Sequence, residues 1–106
     1  MKIDLIDSEY NILKILKDNP EITQRQLSKE LGLSLGKTNY LIQALMSKGW
    51  LKLYNFRRSN NKLGYLYLIT PKGLEKKSVL AKNFLKRKSA QYNKLKKEIE
   101  ILKREI

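Results

Sequence analysis

Residues 23–50 constrain the fold more than any other part of the chain, because their signals predict two short helices joined by a tight turn. Thr23 and Gln26 have the spacing of a capping box, in which each side chain accepts a hydrogen bond from the other residue's backbone N–H. Gly32 is placed to end the first helix in the left-handed conformation, and Ser34 is placed to cap the second. Two helices joined by a short turn that contains glycine have the helix-turn-helix spacing. The alternative is an ordinary helical hairpin inside another kind of small domain.

The second of these helices, over about residues 34–48, has an apolar face and a polar face. Side chains at helical spacing predict a buried stripe, formed by Thr38, Leu41, Ile42 and Leu45. In a helix-turn-helix this helix enters the DNA major groove, where Asn39 and Gln43 have the amides to recognise adenine and Lys37 can reach guanine or phosphate. The alternative is a merely solvated polar face. The candidate DNA-binding residues of the two helices are Thr23, Gln24, Arg25, Ser34, Gly36, Lys37, Asn39, Tyr40 and Gln43.

The charge of the chain is unevenly distributed along the sequence. Its 106 residues carry a formal net charge of +13. Residues 1–49 contribute +1, residues 50–73 contribute +5 and residues 74–106 contribute +7. The excess therefore follows the helix-turn-helix, where it could lie along a phosphate backbone. Ribosomal and membrane-surface proteins are equally basic, so charge alone indicates an anionic partner and no more.

Composition argues against several kinds of chemistry. The chain has no Cys and no His, which removes disulfides, thiol nucleophiles, the commonest general base and the commonest transition-metal ligands. It has no phosphate-binding glycine loop. We therefore expect no catalytic residue, no metal site, no cofactor and no enzyme activity. The N-terminus shows no export signal, and no apolar run approaches the ~18 residues of a membrane span, so we expect a cytoplasmic protein.

A further helix is predicted before the helix-turn-helix, and two strands are predicted after it. The first helix should begin near Asp7 or Ser8, whose short polar side chains can cap it. It should end at Asn19-Pro20, because a residue before proline is disfavoured in the helical conformation. After Gly49 the pattern changes to the alternation typical of strands, over residues 50–56 and again over residues 64–69.

The segment between the two strands carries Arg57, Arg58 and Lys62 around polar turn-forming residues. A hairpin directly after a helix-turn-helix is a wing. Its basic tip would lie on a neighbouring minor groove or on the phosphate backbone, where the negative potential favours arginine. The alternative is a solvated basic loop.

The last third of the chain predicts one long helix with a coiled-coil seam. Apolar side chains recur at heptad a and d positions, although Lys88 at a d position weakens the seam. Glu98 at g and Lys103 at e have the spacing of an ion pair between two parallel helices of a coiled coil. An antiparallel packing helix has a similar pattern, so the orientation stays open, but a lone amphipathic helix of this length is marginal in water. We therefore expect a homodimer, with the seam formed by Leu85, Tyr92, Leu95, Ile99, Leu102 and Ile106.

The order of these elements resembles the MarR-type winged-helix regulators. The strings LGLSLGKTNYLIQALMSKGW and YLITPKGLEKKSVLAKNFLKRK are similar to a small subgroup of them that is associated with exopolysaccharide gene clusters. The resemblance covers nearly the whole chain. It implies a bacterial, nucleoid-associated and dimeric regulator that binds specific double-stranded DNA and controls exopolysaccharide or surface-polysaccharide genes.

The expected fold is mostly α with a small β wing (α+β), in two parts. Residues 1–72 would form a winged helix-turn-helix DNA-binding domain, and residues 73–106 a C-terminal dimerisation helix. Unlike ordinary MarR proteins, the chain lacks the N-terminal helix and the two-helix C-terminal arrangement that usually build the dimer interface and ligand pocket. We therefore do not predict a small-molecule effector site, and whether the protein has an effector stays open.

Two other functions remain open from the sequence. An RNA-binding or antitermination-type factor could use the same basic surface, and base stacking on exposed aromatic rings would favour it. A winged-helix protein-interaction module could use the second helix for docking. Salt separates the second alternative from DNA binding, because counterion release makes duplex binding fall steeply as salt rises.

Overall fold

The computed structural model describes residues 7–57 and 63–106. Within them three short helices precede a two-stranded antiparallel sheet, and one long helix follows it. This is the winged helix fold, mostly α with a small β wing, that the sequence predicts. The elements are α1 (Ser8–Asp18), α2 (Gln24–Leu31), α3 (Leu35–Ser47), β1 (Leu51–Arg57), β2 (Leu63–Ile69) and α4 (Pro71–Arg104).

The helix α1 begins and ends where the sequence predicts, but its start is not capped as expected. Asp7 holds the N-cap position, and its side chain makes no cap hydrogen bond. Instead its carboxylate accepts a hydrogen bond from Arg87 of α4, with 2.8 Å between Nε and Oδ1. The capping prediction is therefore wrong for Asp7, because a guanidinium from a distant part of the sequence takes up the same carboxylate.

The turn between α2 and α3 is built by the predicted local signals. The Thr23 hydroxyl accepts from the Gln26 backbone N–H at 3.1 Å, and the Gln26 side chain accepts from the Thr23 N–H at 3.1 Å. Gly32 ends α2 at φ 68°, in the left-handed region that favours glycine. Ser34 then caps α3 by accepting from the Lys37 N–H at 3.1 Å. The predicted helix-turn-helix is confirmed.

The core lies where the first three helices meet the base of the wing. Thr38 is fully buried on α3, and its hydroxyl donates to the Ser34 carbonyl at 2.9 Å, so this polar group is satisfied inside the core. Leu41, which the sequence places in the same stripe, is half-buried at the edge. The buried apolar residues are Ile12, Leu13, Leu16, Ile22, Leu27, Leu31, Ile42, Leu45, Leu51 and Tyr67.

The strands β1 and β2 pair antiparallel along their whole length, with Leu51 opposite Ile69 at the base of the wing. Two side chains of this sheet, Leu51 and Tyr67, enter the core. The backbone N–H of Tyr67 also donates to the Pro20 carbonyl at 3.0 Å, which joins β2 to the segment after α1. The base of the wing is therefore fixed to the helical core by side chains and backbone together.

The long helix α4 is joined to the winged part of the chain at its first turn. Thr70 caps it, accepting from the Gly73 N–H at 3.0 Å and donating to the Gly49 carbonyl at 2.6 Å. Gly73 is buried, and a Cβ at this position would lie 2.9 Å from Ile69 Cγ2 and closer still to the Trp50 carbonyl oxygen. The predicted helix of the last third thus starts earlier, at Pro71.

Only the first half of α4 packs on the rest of the described structure. The ring centres of Phe84 and of Tyr10 on α1 are 4.9 Å apart. By contrast, every residue from Ser89 onward is exposed. A helix of 34 residues is about 50 Å long at about 1.5 Å per residue. Its second half therefore projects from the domain. Among the described helices, none combines the length and apolar character needed to cross a membrane.

Candidate nucleic-acid interface

The helix α3 presents one polar face to solvent while its other face is buried. Thr38, Ile42 and Leu45 are fully buried. The predicted DNA-binding residues of the polar face are all exposed, as the spacing predicts, and these are Ser34, Gly36, Lys37, Asn39, Tyr40 and Gln43. The exposed set offers amide, ammonium and phenol groups along about two helical turns.

The first turn of α3 is open to close approach. Apart from its chain neighbours and the nearby backbone of α3 itself, no atom lies within 4 Å of where a Cβ of residue 36 would stand, so packing does not explain a glycine there. The Lys37 ammonium lies 5.2 Å from the centre of the Tyr40 ring, within the range of a cation–π contact. This contact holds a positive charge near the start of the helix, on its exposed face.

A chain of hydrogen bonds connects α3 to α2 and to the wing. Asn39 Nδ2 donates to Gln24 Oε1 at 3.1 Å. Gln24, the first residue of α2, is half-buried, and its Nε2 donates to the Tyr67 hydroxyl at 3.3 Å. The sequence pattern predicts Gln24 only as a DNA contact and Tyr67 only as part of the second strand, with no functional link between them. No local pattern could have found this link, because the partners are 15 and 43 residues apart.

The two other candidates at the start of α2 are Thr23 and Arg25, both of which are exposed. The Thr23 hydroxyl is already engaged in the capping box, whereas Arg25 projects from the first turn. The first turn of any helix also presents unpaired backbone N–H groups, and these favour an anion such as phosphate.

The wing is described only at its base and along its strands. Arg57 is the last residue of β1, where its backbone pairs with that of Leu63. The predicted contacts Arg58 and Lys62 lie outside the described residues. Along β1, the Tyr54 ring is exposed. Its centre lies 6.3 Å from the centre of the Phe56 ring, with 20° between the two ring planes.

The predicted dimer seam lies mostly on the second half of α4, where the helix is exposed on all sides. Within the seam, Tyr92, Leu95 and Ile99 make a shallow apolar groove, which is flanked by Lys96, Glu100 and Lys103. Ile101 is also exposed, outside the a and d positions. All of the predicted seam side chains are exposed, namely Leu85, Tyr92, Leu95, Ile99, Leu102 and Ile106.

Among residues 7–57 and 63–106, no three acidic, His or Cys side chains are grouped so that they could hold a metal ion. The chain as a whole contains neither His nor Cys.

The first part of the chain matches a known protein family. Residues 7–52 match the family model described as winged helix-turn-helix DNA-binding. This match covers α1, the helix-turn-helix and the start of β1. No curated protein matches the sequence.

Several solved structures share the fold. The chain is 25% identical to Streptococcus pneumoniae FabT in complex with DNA, with a TM-score of 0.53, covering 78% of this chain and 56% of that one. It is 20% identical to the adhesin competence repressor AdcR from Streptococcus pyogenes, with a TM-score of 0.60, covering 97% of this chain and 76% of that one. It is 19% identical to the transcriptional regulator PcaV from Streptomyces coelicolor in complex with its natural ligand, with a TM-score of 0.51, covering 86% of this chain and 71% of that one. The chain thus spans little more than half of the FabT chain.

Proposed function

We propose that this chain is a transcriptional regulator that binds specific sequences in double-stranded DNA, with α3 in the major groove. The observation that carries the proposal is the exposed polar face of α3, where Lys37, Asn39 and Gln43 project from a helix whose other face is fixed in the core. The family description of residues 7–52 supports it, as does the likeness to FabT in complex with DNA.

Each part of the interface has a distinct role in this proposal. A major groove about 12 Å wide admits α3, so that Asn39, Tyr40 and Gln43 meet base edges and Lys37 meets guanine or phosphate. Ser34 and Gly36 let the start of α3 come close to the duplex. At the start of α2, Thr23, Gln24 and Arg25 lie toward the phosphate backbone. The wing residues Arg57, Arg58 and Lys62 follow the minor groove or backbone.

We propose a homodimer formed through α4. Exposed apolar side chains continue along its projecting half, and a second copy would cover them. The charges favour parallel pairing, because Glu98 at g then faces Lys103 at e of the other copy. In an antiparallel pair e faces e and g faces g, which would set Lys96 against Lys103 and Glu98 against Glu105. The winged parts would then lie at the same end of the dimer.

The biological setting of the proposal comes from the sequence resemblance. The similarity to MarR-type regulators of exopolysaccharide clusters supports a bacterial protein that acts on the nucleoid, in the cytoplasm, and controls exopolysaccharide or surface-polysaccharide genes. The division into a DNA-binding part, residues 1–72, and a dimerisation helix, residues 73–106, belongs to the same proposal. No enzyme activity and no effector ligand form part of it.

One observation favours a second candidate, which is single-stranded RNA binding. The exposed Tyr54 ring beside Phe56 on β1 offers a surface on which a base could stack. A basic chain with such a surface could hold an unpaired strand, so RNA is the proper competitor in any binding test.

The proposal is tested by equilibrium binding of the whole chain to a random-sequence duplex and to single-stranded RNA of equal length, over a series of salt concentrations. We expect the chain to bind the duplex more tightly than the single-stranded RNA. We also expect log K for the duplex to fall linearly with log salt, by about 0.9 for each phosphate neutralised. Preferential binding of the RNA, or salt-independent binding, would contradict the proposal.

A further inference from the structure

The side chain of Asn39 is held in place although it lies on the exposed face of α3. Its Nδ2 donates to Gln24 Oε1 at 3.1 Å, and Gln24 Nε2 donates to the Tyr67 hydroxyl at 3.3 Å. We call Asn39, Gln24 and Tyr67 the amide relay. It joins three elements, α3, α2 and β2, that are distant in the sequence.

One end of the amide relay is anchored in the core. Tyr67 is 5% exposed, and its ring meets that of Tyr65 edge-on at 5.6 Å. Its backbone N–H donates to the Pro20 carbonyl at 3.0 Å. Gln24 is held as the first residue of a capped helix. A hydroxyl with a fixed position therefore orders the Gln24 amide, which in turn meets Asn39.

The orientation of an asparagine amide decides what it can recognise. The major-groove edge of adenine offers the N6 amino group as a donor and N7 as an acceptor, so the amide must present oxygen to the first and nitrogen to the second. A free amide can turn over and exchange these two groups. Because Gln24 accepts one N–H of Asn39, it fixes which side carries the nitrogen, while Oδ1 and the second N–H stay available.

We infer that Gln24 is a positioning residue that sets the base preference of Asn39, and that Tyr67 orders Gln24 for this role. The inference rests on the proposed function in one respect, since it takes Asn39 to contact a base. It goes beyond the proposed function because it assigns part of the base specificity to Gln24 on α2 and to the buried Tyr67 in the wing. Gln43 provides the contrast, because in the described part of the chain its side chain forms no hydrogen bond with another residue.

The experiment measures base preference position by position. The whole chain and its variants each select bound sequences from a library of random duplexes, and the affinity for one fixed random-sequence duplex is measured in parallel. The variants are Asn39→Ala, Gln24→Ala, the double variant of the two, Gln24→Glu and Tyr67→Phe. Asn83→Ala, an exposed amide on α4 outside the interface, is the matched control. Thermal unfolding confirms that each variant is folded.

We expect Asn39→Ala to lower the preference at one base pair about tenfold. Gln24→Ala should lower the preference at the same base pair, and the double variant should lose no more than Asn39→Ala alone, because the two side chains act as one unit. Gln24→Glu should keep the preference, since a carboxylate still accepts from Asn39 Nδ2. Tyr67→Phe should weaken the base preference partly, while the phenylalanine ring still fills the core. Asn83→Ala should leave the base preference unchanged.

Three results would overturn the inference, and each differs from a failure of the proposed function. Additive losses from Gln24→Ala and Asn39→Ala would make Gln24 an independent contact. An equal loss by Gln24→Ala on selected and random duplexes would make it a phosphate contact only, with no part in positioning Asn39. If Asn39→Ala leaves every base preference unchanged while specific binding persists, the positioning role fails although the regulator still reads sequence. If the unaltered chain enriches no sequence, the proposed function itself fails.

Discussion

Arg87 of α4 pairs with Asp7 at the start of α1, its Nε donating to Oδ1 at 2.8 Å. The Asp7 side chain is almost completely buried, whereas a third of the Arg87 side chain is exposed. The Phe84–Tyr10 ring contact lies on the same two helices. Side chains thus set the direction in which α4 leaves the winged part, and in the proposed dimer that direction sets the distance between the two copies of α3.

The two halves of this ion pair should differ in their effect on stability. Arg87→Ala leaves a buried carboxylate without its partner and should lower the free energy of unfolding by about 2 kcal/mol. Asp7→Ala should cost less, because the partly exposed Arg87 can turn its guanidinium to water. The double variant should be more stable than Arg87→Ala alone. Urea unfolding measures all three, and an equal loss for the two single variants would contradict the predicted asymmetry.

Two glycines should respond in opposite ways to the same substitution. Gly73→Ala places a Cβ against the Trp50 carbonyl and Ile69, and overpacking of this kind costs about 1–3 kcal/mol. Gly36→Ala meets open space in a helix and should raise stability by up to about 1 kcal/mol. Thermal unfolding compares them. A loss of stability in Gly36→Ala would contradict the account of α3.

The same Gly36→Ala variant should bind a selected duplex severalfold more weakly despite its greater stability. The added methyl group lies on the exposed first turn of α3, where the proposed interface brings the helix against DNA. Unchanged affinity would show that this turn does not come close to the duplex.

Local signals made the helix-turn-helix predictable from the sequence. Thr23 and Gln26 satisfy each other's backbone groups three residues apart, and Gly32 ends α2 through its own backbone conformation. The buried stripe on α3 follows from helical spacing alone, because side chains three and four positions apart share a face. Each of these features depends on a few neighbouring residues, so no knowledge of the tertiary structure was needed.

The features that the sequence did not give depend on residues that meet only after folding. Asp7 looks like a helix cap in the sequence, but Arg87, 80 residues away, takes its carboxylate. The Gln24–Tyr67 hydrogen bond spans 43 residues. Side-chain pairs of this kind depend on how α4 and the wing return to the helical core, and periodicity carries no information about that.

The wing arginines should act mainly through charge. We predict that Arg57→Ala and Arg58→Ala weaken duplex binding at low salt and that the loss shrinks as salt rises, because part of their effect is phosphate neutralisation. Titrations at several salt concentrations measure this. Arg104→Ala, an exposed arginine near the far end of α4, is the control and should have little effect. A salt-independent loss confined to particular sequences would indicate base contact instead.

The seam on α4 should determine the oligomeric state. Deletion of residues 92–106 removes all seam residues except Leu85 and should yield a folded monomer, since the buried core ends at Tyr67. Affinity for a full site should then fall towards that for a half-site, because the second contact is no longer intramolecular. Sedimentation at micromolar concentration compares the two chains. If both are monomers or both are dimers, the seam does not form the dimer.

Charge reversal tests the orientation of that dimer separately. Glu98→Lys should weaken a parallel dimer by placing two lysines at the g and e positions, and adding Lys103→Glu should restore it. In an antiparallel dimer Glu98→Lys would instead strengthen the dimer, because the new lysine faces Glu105, and adding Lys103→Glu would strengthen it again, because the new glutamate faces Lys96. The dimer dissociation constant from sedimentation distinguishes the two.

The central claim is that the intact chain binds a specific duplex sequence as a two-fold symmetric dimer, and selection from random duplexes tests it most directly. We predict an enriched, roughly palindromic sequence whose half-sites lie about 10 base pairs apart, or a multiple of that. Enrichment of a single half-site would contradict the dimer. No enrichment of any sequence would contradict the claim that α3 reads DNA.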